Sequence, residues 1–133
     1  MALTADRNTP LKDGELVPVL VAANAKIYAG ALVVANAAGF AAPGSVATTL
    51  TYLGRAEEYV DNTGGIDGAK TVLVRRGKAF QFKNHGADPV TQASLGKVAY
   101  IVDDETVAGS NGGNTRSASG KVVQIDAGGV WVQ

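Results

Sequence analysis

The 133-residue sequence predicts an all-β protein: a compact antiparallel sandwich or barrel of short strands, with one short helical turn and an extended N-terminal arm. Three observations carry this. Apolar and polar residues alternate at period two through several short segments, the spacing that lays one face of a strand on a core. Seventeen glycines and four prolines interrupt those segments too often for long helices. Even where alanine would favour a helix, between Ala31 and Ala42, the breakers Gly30, Gly39 and Pro43 leave too little room for a stable one.

Taken in order, residues 1–14 are polar, contain Pro10 and show no period, which predicts an extended segment outside a single β domain over residues 15–133, either an ordinary frayed terminus or an arm that lies across a partner. Residues 15–21 are apolar on both faces, as in a strand buried from two sides. Pro18 has no N–H to donate, so this strand should lie at a sheet edge or carry a bulge. Lys26-Ile27-Tyr28 and Leu32-Val33-Val34 are expected to pair across the break at Ala29-Gly30. Asn36 to Gly39 is a turn sequence, Phe40 opens the return strand and Pro43-Gly44 ends it. Residues 50–53 begin another strand, and Gly54 marks a bulge or a close backbone approach. Residues 61–69 read as a flexible loop.

Residues 70–76 and 78–83 are expected to form a hairpin turning near Gly77, with Phe80 and Phe82 facing inward. The segment from Asp88 to Gly96 suits the helical turn: Asp88 as N-cap, Pro89 in the first position, Gly96 as the stop. In the last third, Val98, Tyr100 and Val102 share a face. Val123 and Ile125 share another, opposite Val122, Gln124 and Asp126. Asp126-Ala127-Gly128-Gly129 is a turn leading into Val130-Trp131-Val132, a strand expected to tie the end of the chain into a sheet.

Composition narrows the function. Twelve basic residues balance twelve acidic ones, which argues against a nucleic-acid partner, because phosphate binding needs surplus Lys and Arg. The same balance argues against a polybasic membrane-surface protein. The absence of cysteine excludes disulfides, thiolate metal sites and cysteine nucleophiles. The first residues lack the charged-then-apolar pattern of a signal peptide. The longest apolar run, residues 16–23, is broken by Pro18 and falls short of the roughly 20 residues that span a bilayer. A protein made in a cytoplasm, with no membrane partner, is expected.

The chemical candidates are few. His85 is the only histidine, with Asp88 nearby, but a lone histidine beside Gly86 reads as a loop residue. Asp103-Asp104-Glu105 lacks the alternating ligands of an EF-hand and reads as a solvated turn. The loop from Gly109 to Asn114 is glycine-rich but lacks the Gly-Lys-Ser/Thr ending of a phosphate loop; Gly96-Lys97 and Gly120-Lys121 each run into valine. Arg75, Arg76 and Lys78 form a small basic tip that either keeps a hairpin soluble, the favoured reading, or meets an acidic partner surface, and Glu57-Glu58 carries the same two readings with the opposite sign. No catalytic, cofactor-binding or metal-binding residue is assigned, no cofactor is expected, and the chain is not expected to be an enzyme.

The segments "IYAGALVVANAAGFAAPG", "YLGRAEEYVDNTGG", "DPVTQASLGK", "GKVAYIVDDETVA" and "TRSASGKVVQIDAGGVWV" span most of the chain. In order and spacing they resemble the small capsid cement (decoration) proteins of tailed bacteriophages and prophages, encoded beside the major head subunit. Proteins of that set have often been described as predicted recombinases, a description for which this chain has no phosphate loop. The resemblance implies a minor capsid protein made in the bacterial host cytoplasm, located on the outer surface of the virion, and bridging copies of the major capsid protein. It also implies a homo-oligomer, a trimer before a dimer. The arm residues Ala2, Leu3, Thr4, Ala5, Asp6, Arg7, Asn8, Thr9, Pro10 and Leu11 are the expected capsid-docking element. Pro18 on its edge strand and Trp131 on the last strand are the weaker candidates for self-association. Another phage structural part, such as a tail-tube or head-completion protein, is the alternative.

Overall fold

The computed structural model describes residues 1–133 and is almost entirely β. Twelve strands follow one another: β1 (Leu16–Leu20), β2 (Lys26–Ile27), β3 (Leu32–Ala35), β4 (Ala41–Pro43), β5 (Thr51–Ala56), β6 (Val60–Asp61), β7 (Thr71–Arg75), β8 (Phe80–Asn84), β9 (Val98–Ile101), β10 (Thr106–Ala108), β11 (Ala118–Asp126) and β12 (Gly129–Val132). The one helical element is a 3-10 turn at Gln92–Ser94. The strands form a five-stranded sheet in the order β1-β7-β5-β3-β4, a closed barrel in the order β10-β8-β12-β11-β9, and a two-stranded sheet of β2 with β6. All pairs are antiparallel except β8 with β10, so the barrel is mixed.

Two apolar cores result, and β3 feeds both. Leu32 and Val34 pack with Phe80, Phe82, Ile101, Val122, Val130 and Val132 in the barrel core. Val33, between them, packs with Val21, Ile27, Ala41, Val72 and Val74 in the other. A strand sends alternate side chains to opposite faces, so only an apolar residue at every position can serve two cores at once. Polar contacts hold the same junction. The Leu32 N–H donates to the Asp104 carbonyl at 2.7 Å, and the buried Ser117 hydroxyl donates to the Ala47 carbonyl at 2.6 Å while accepting from the Leu50 N–H. The Arg55 guanidinium on β5 lies 4.8 Å from the centre of the Phe80 ring on β8.

Several expectations are corrected. The hairpin turning at Gly77 does not form: β7 pairs with β1 and β5, whereas β8 pairs with β12 and β10. Gly77, at φ +73°, carries the chain from the sheet to the barrel instead. Likewise β2 and β3 do not pair; β2 joins β6, and β3 lies between β4 and β5. β1 is the edge strand that Pro18 requires, yet it is not buried from two sides, because Leu16 and Leu20 are exposed. Glu15 and Val21 make backbone bonds to Arg76 and Lys70, so the alternate residues Leu16, Pro18 and Leu20 direct their backbone groups away from β7. Proline thus occupies a position where no partner strand asks for its N–H. Residues 61–69 are held in place: buried Asn62 donates to the carbonyls of Ala22 and Ile66, and Asp67 accepts the Ala23 N–H.

In the last third, the inward face of β9 carries Ala99 and Ile101, leaving Val98 and Tyr100 outside it. A bulge between Val122 and Gln124 breaks the alternation in β11. Val122 therefore enters the core, Val123 is exposed, and Ile125 returns to pack against the core. The helical turn is shorter than the sequence suggests: Thr91 leads into it, its N–H donating to the Ser94 hydroxyl at 3.4 Å, and Asp88 does not cap it. Gly96, at φ +80°, does end it.

Two glycines show how closely strands approach. An added Cβ on Gly54, at φ +149°, would overlap the Arg75 carbonyl oxygen, whereas Gly39, at φ +91°, faces open space. Gly54→Ala is therefore expected to destabilise the fold by about 3 kcal/mol or more, against about 1 kcal/mol for Gly39→Ala. Urea denaturation midpoints of the two variants measure the contrast, and equal shifts would contradict the close approach.

Candidate functional site

The expected docking arm is wholly exposed and contains no strand. Its hydrogen bonds are local, between Arg7 and Thr9. Leu3 and Leu11 are 72% and 94% exposed, so the arm presents apolar side chains with no partner in the chain. Its root is fixed: the Glu15 carbonyl accepts the Arg76 N–H at 2.7 Å, and the Glu15 carboxylate pairs with Lys78 at 2.8 Å. Gln133 reaches the same place, its side-chain amide lying 3.4 Å from the Gly77 carbonyl. The arm root, the crossover and Gln133 therefore meet at one corner.

Pro18 lies on the open edge continuing from that root, flanked by the exposed side chains of Leu16 and Leu20. Trp131 is on the barrel, on a different sheet. Its neighbours Val130 and Val132 point into the core, and Trp131 lies outside and half-buried, paired with Gln81 and Gln124. Its indole N–H donates to the Asp126 carboxylate at 2.9 Å. Asp126 also accepts from the backbone of Gly128 and Gly129 and from Gln81. These bonds, that of Trp131 foremost, hold its carboxyl below the usual range. One side chain thus fixes both the turn and the tryptophan.

Part of the surface charge is matched within the chain. Glu57 accepts from Arg55 at 2.7 Å and from Arg75 at 2.8 Å, Glu58 accepts the Leu73 N–H, and Arg76 donates to the Leu53 carbonyl. With Lys78 on Glu15, the basic tip and the acidic pair are tied within the chain. The hydrogen bond from Arg55 leads in holding the Glu57 carboxyl below its ordinary value. Asp88 turns to Arg116, at 2.8 Å, and to Ser110. That anchors the glycine-rich loop, which is braced further by Asn111 and Asn114. His85 makes backbone bonds to Val107 and Asp88, while the Asp88 carboxylate goes to Ser110 and Arg116, so no Ser-His-Asp relay is assembled. Of the three consecutive acids, Asp103 caps the Glu105 N–H, Glu105 pairs with Lys83 at 2.8 Å, and burial, followed by the charge of Asp103, raises the Asp104 carboxyl. No group of three or more His, Asp or Glu is arranged to hold a metal ion.

One surface feature escaped the sequence. Because Ile27 pairs with Val60, the flanking Tyr28 and Tyr59 stand side by side, their ring centres 5.4 Å apart and tilted by 35°. They remain 57% and 52% exposed. Tyr28, Gly30, Ala31, Asp104 and Glu105 line a shallow cleft of about 310 Å³ on one side. Glu58, Tyr59, Asp61, Lys70 and Thr71 line another of about 540 Å³. The two tyrosines are far apart in the chain, and no local pattern links them.

Two titrations follow. Asp126 has a depressed folded value, so its bonds are present above its ordinary value of 3.8 and lost as pH falls through the folded value. Trp131 emission should change in that acidic window, and Asp126→Asn should abolish the change; an unaltered titration in the variant would contradict the assignment. At the alkaline end, burial pushes the phenol of Tyr52, whose hydroxyl is enclosed without a partner, up to about 12. An unfolded tyrosine ionises near 10, so stability should fall as pH rises from there towards 12, by up to about 3 kcal/mol. Tyr52→Phe should remove that loss in denaturation curves recorded across the range.

Comparison with known proteins finds no matching family model, no matching curated protein and no matching solved structure.

Proposed function

We propose that this chain is a structural protein of a tailed-phage head, a decoration protein that binds the outer surface of the capsid and bridges major capsid subunits. The observation that carries the reading is the arm: residues 1–14, fully exposed, with Leu3 and Leu11 unpartnered, are rooted by Glu15 on a double-core β body. Such a segment gains contacts only by lying on another molecule, where its exposed leucines fill pockets and its backbone pairs with a partner strand. The order of the sequence segments given above supports the same assignment.

In mechanism, the arm supplies adhesion and the β body supplies a rigid spacer. Copies held together as a small homo-oligomer, a trimer in this proposal, present several arms at once. Once one arm is docked, the others search at high effective concentration, so weak single contacts give a stable bridge between capsid subunits. The open edge of β1 around Pro18 and the outer face of β12 at Trp131 are the surfaces proposed for self-association. Each presents half-exposed apolar area on a fixed strand.

Co-sedimentation with expanded phage heads lacking their decoration protein tests the reading, with the oligomer mass set beforehand by light scattering. Saturable binding at a fixed ratio to the major capsid protein, and a raised capsid melting temperature, are expected. Deleting residues 2–11 should abolish binding while leaving the melting temperature of the free protein within a degree or two, roughly, since the arm makes no contact that the fold needs. Tubes or rings without capsid binding would indicate a tail component instead.

A further inference from the structure

We propose that the Tyr28–Tyr59 ridge and its two flanking clefts form a second docking surface, for a basic extended segment of another polypeptide. The rings of the ridge are the platform that the segment crosses, and each cleft receives one cationic side chain. This does not depend on the arm or on a capsid.

Three features point to that occupant. First, the two tyrosines are more than half exposed yet rigidly placed, because each continues from a buried residue, Ile27 or Val60, of a paired strand. A fixed aromatic surface loses little entropy on binding, which is why tyrosine recurs at interface hot spots. Second, each cleft holds a carboxylate that forms no salt bridge. Glu105 is paired with Lys83; Asp61 lies across from Lys26 on β2, and Lys70, which also lines the larger cleft, donates its ammonium to the Asp61 carbonyl at 2.7 Å and not to a carboxylate. Asp104 in the smaller cleft and Glu58 in the larger have no salt bridge. Asp104 is in addition partly desolvated and adjacent to Asp103, so a guanidinium or ammonium there relieves an unfavourable charge. Third, tyrosine faces beside carboxylates suit a cation, which gains both ion pairing and attraction to the ring. A neutral saccharide could stack on the rings but would leave both carboxylates uncompensated.

The ridge is also distinct from the arm. Thr71, at one end of β7, borders the larger cleft, while Arg75, at the other end, stands opposite Leu16 beside the arm root. That separates the two surfaces by roughly 13 Å along the strand.

The test is a titration of isotope-labelled full-length protein, followed by amide shifts, with peptides carrying two arginines separated by one to four residues of glycine, proline or leucine. Shifts should concentrate at Tyr28, Gly30, Tyr59, Thr71 and Asp104 and weaken as salt is raised. Tyr28→Ala with Tyr59→Ala, and separately Glu58→Gln with Asp104→Asn, should each weaken binding roughly tenfold or more. Phenylalanine at both tyrosine positions should retain it. Tyr28, Glu58 and Tyr59 are exposed and Asp104 is half-buried, and spectra of the free variants report whether the fold is kept. The proposal is overturned if no peptide in the set shifts these amides, if both pairs of variants bind as the parent does, or if neutral oligosaccharides shift these amides while the arginine peptides do not.

Discussion

The structure depends on one strand having no polar side. Leu32, Val33 and Val34 are all fully buried, the outer two in the barrel core and the middle one in the core of the curled sheet. Removing any one leaves a cavity in a core whose other members cannot move to fill it, since they are fixed by barrel closure on one side and by five-strand pairing on the other. The polar contacts at this junction, Leu32 to Asp104 and Ser117 to Ala47 and Leu50, matter because they are enclosed. Without partners those groups would oppose burial of β3.

Sharing a strand also determines what is left at the surface. The sheet curls until Val21, just beyond β1, bridges Ala41 on β4, but residues 16–20 stay unpaired on their outer edge. The barrel has no such edge, because β9 and β10 close it. Open backbone therefore lies along the outer side of β1, apart from the short β2–β6 pair, and the arm leaves from the same strand. Pro18 blunts that edge against indiscriminate pairing without closing it, and the charges nearby are absorbed by Glu15–Lys78 and by Glu57 with its two arginines. Exposed apolar side chains lie on the arm, on this edge and on the tyrosine pair, and also on loop residues such as Val46 and Ile66.

Loops and strands use their side chains differently. Asn62, Asp67, Asp88, Asn111 and Asp126 each spend their side chains on backbone groups or on neighbouring loops. Their polar atoms serve local order in segments too rich in glycine to hold themselves. The long connections are thereby held in place.

The amino-acid sequence by itself determined the β class, the turn at Asn36 to Gly39, the closing hairpin at Asp126 to Gly129 and the inward phenylalanines, and it narrowed Gly54 to a bulge or a close approach and Pro18 to an edge or a bulge. Each follows from the stereochemistry of a few adjacent residues. Residues 1–14, a polar segment without period, have no face to bury, and they are exposed and contain no strand. Only the tertiary structure decided which strands meet. Residues 70–83 have all the local marks of a hairpin, yet β7 and β8 part at Gly77, because a glycine at positive φ serves a crossover as well as a turn. The bulge that sends Val122 rather than Val123 inward, and the meeting of Tyr28 with Tyr59, were likewise hidden. Partner choice is set by non-local burial, and period-two alternation records that a strand has an inside without recording whose inside it is.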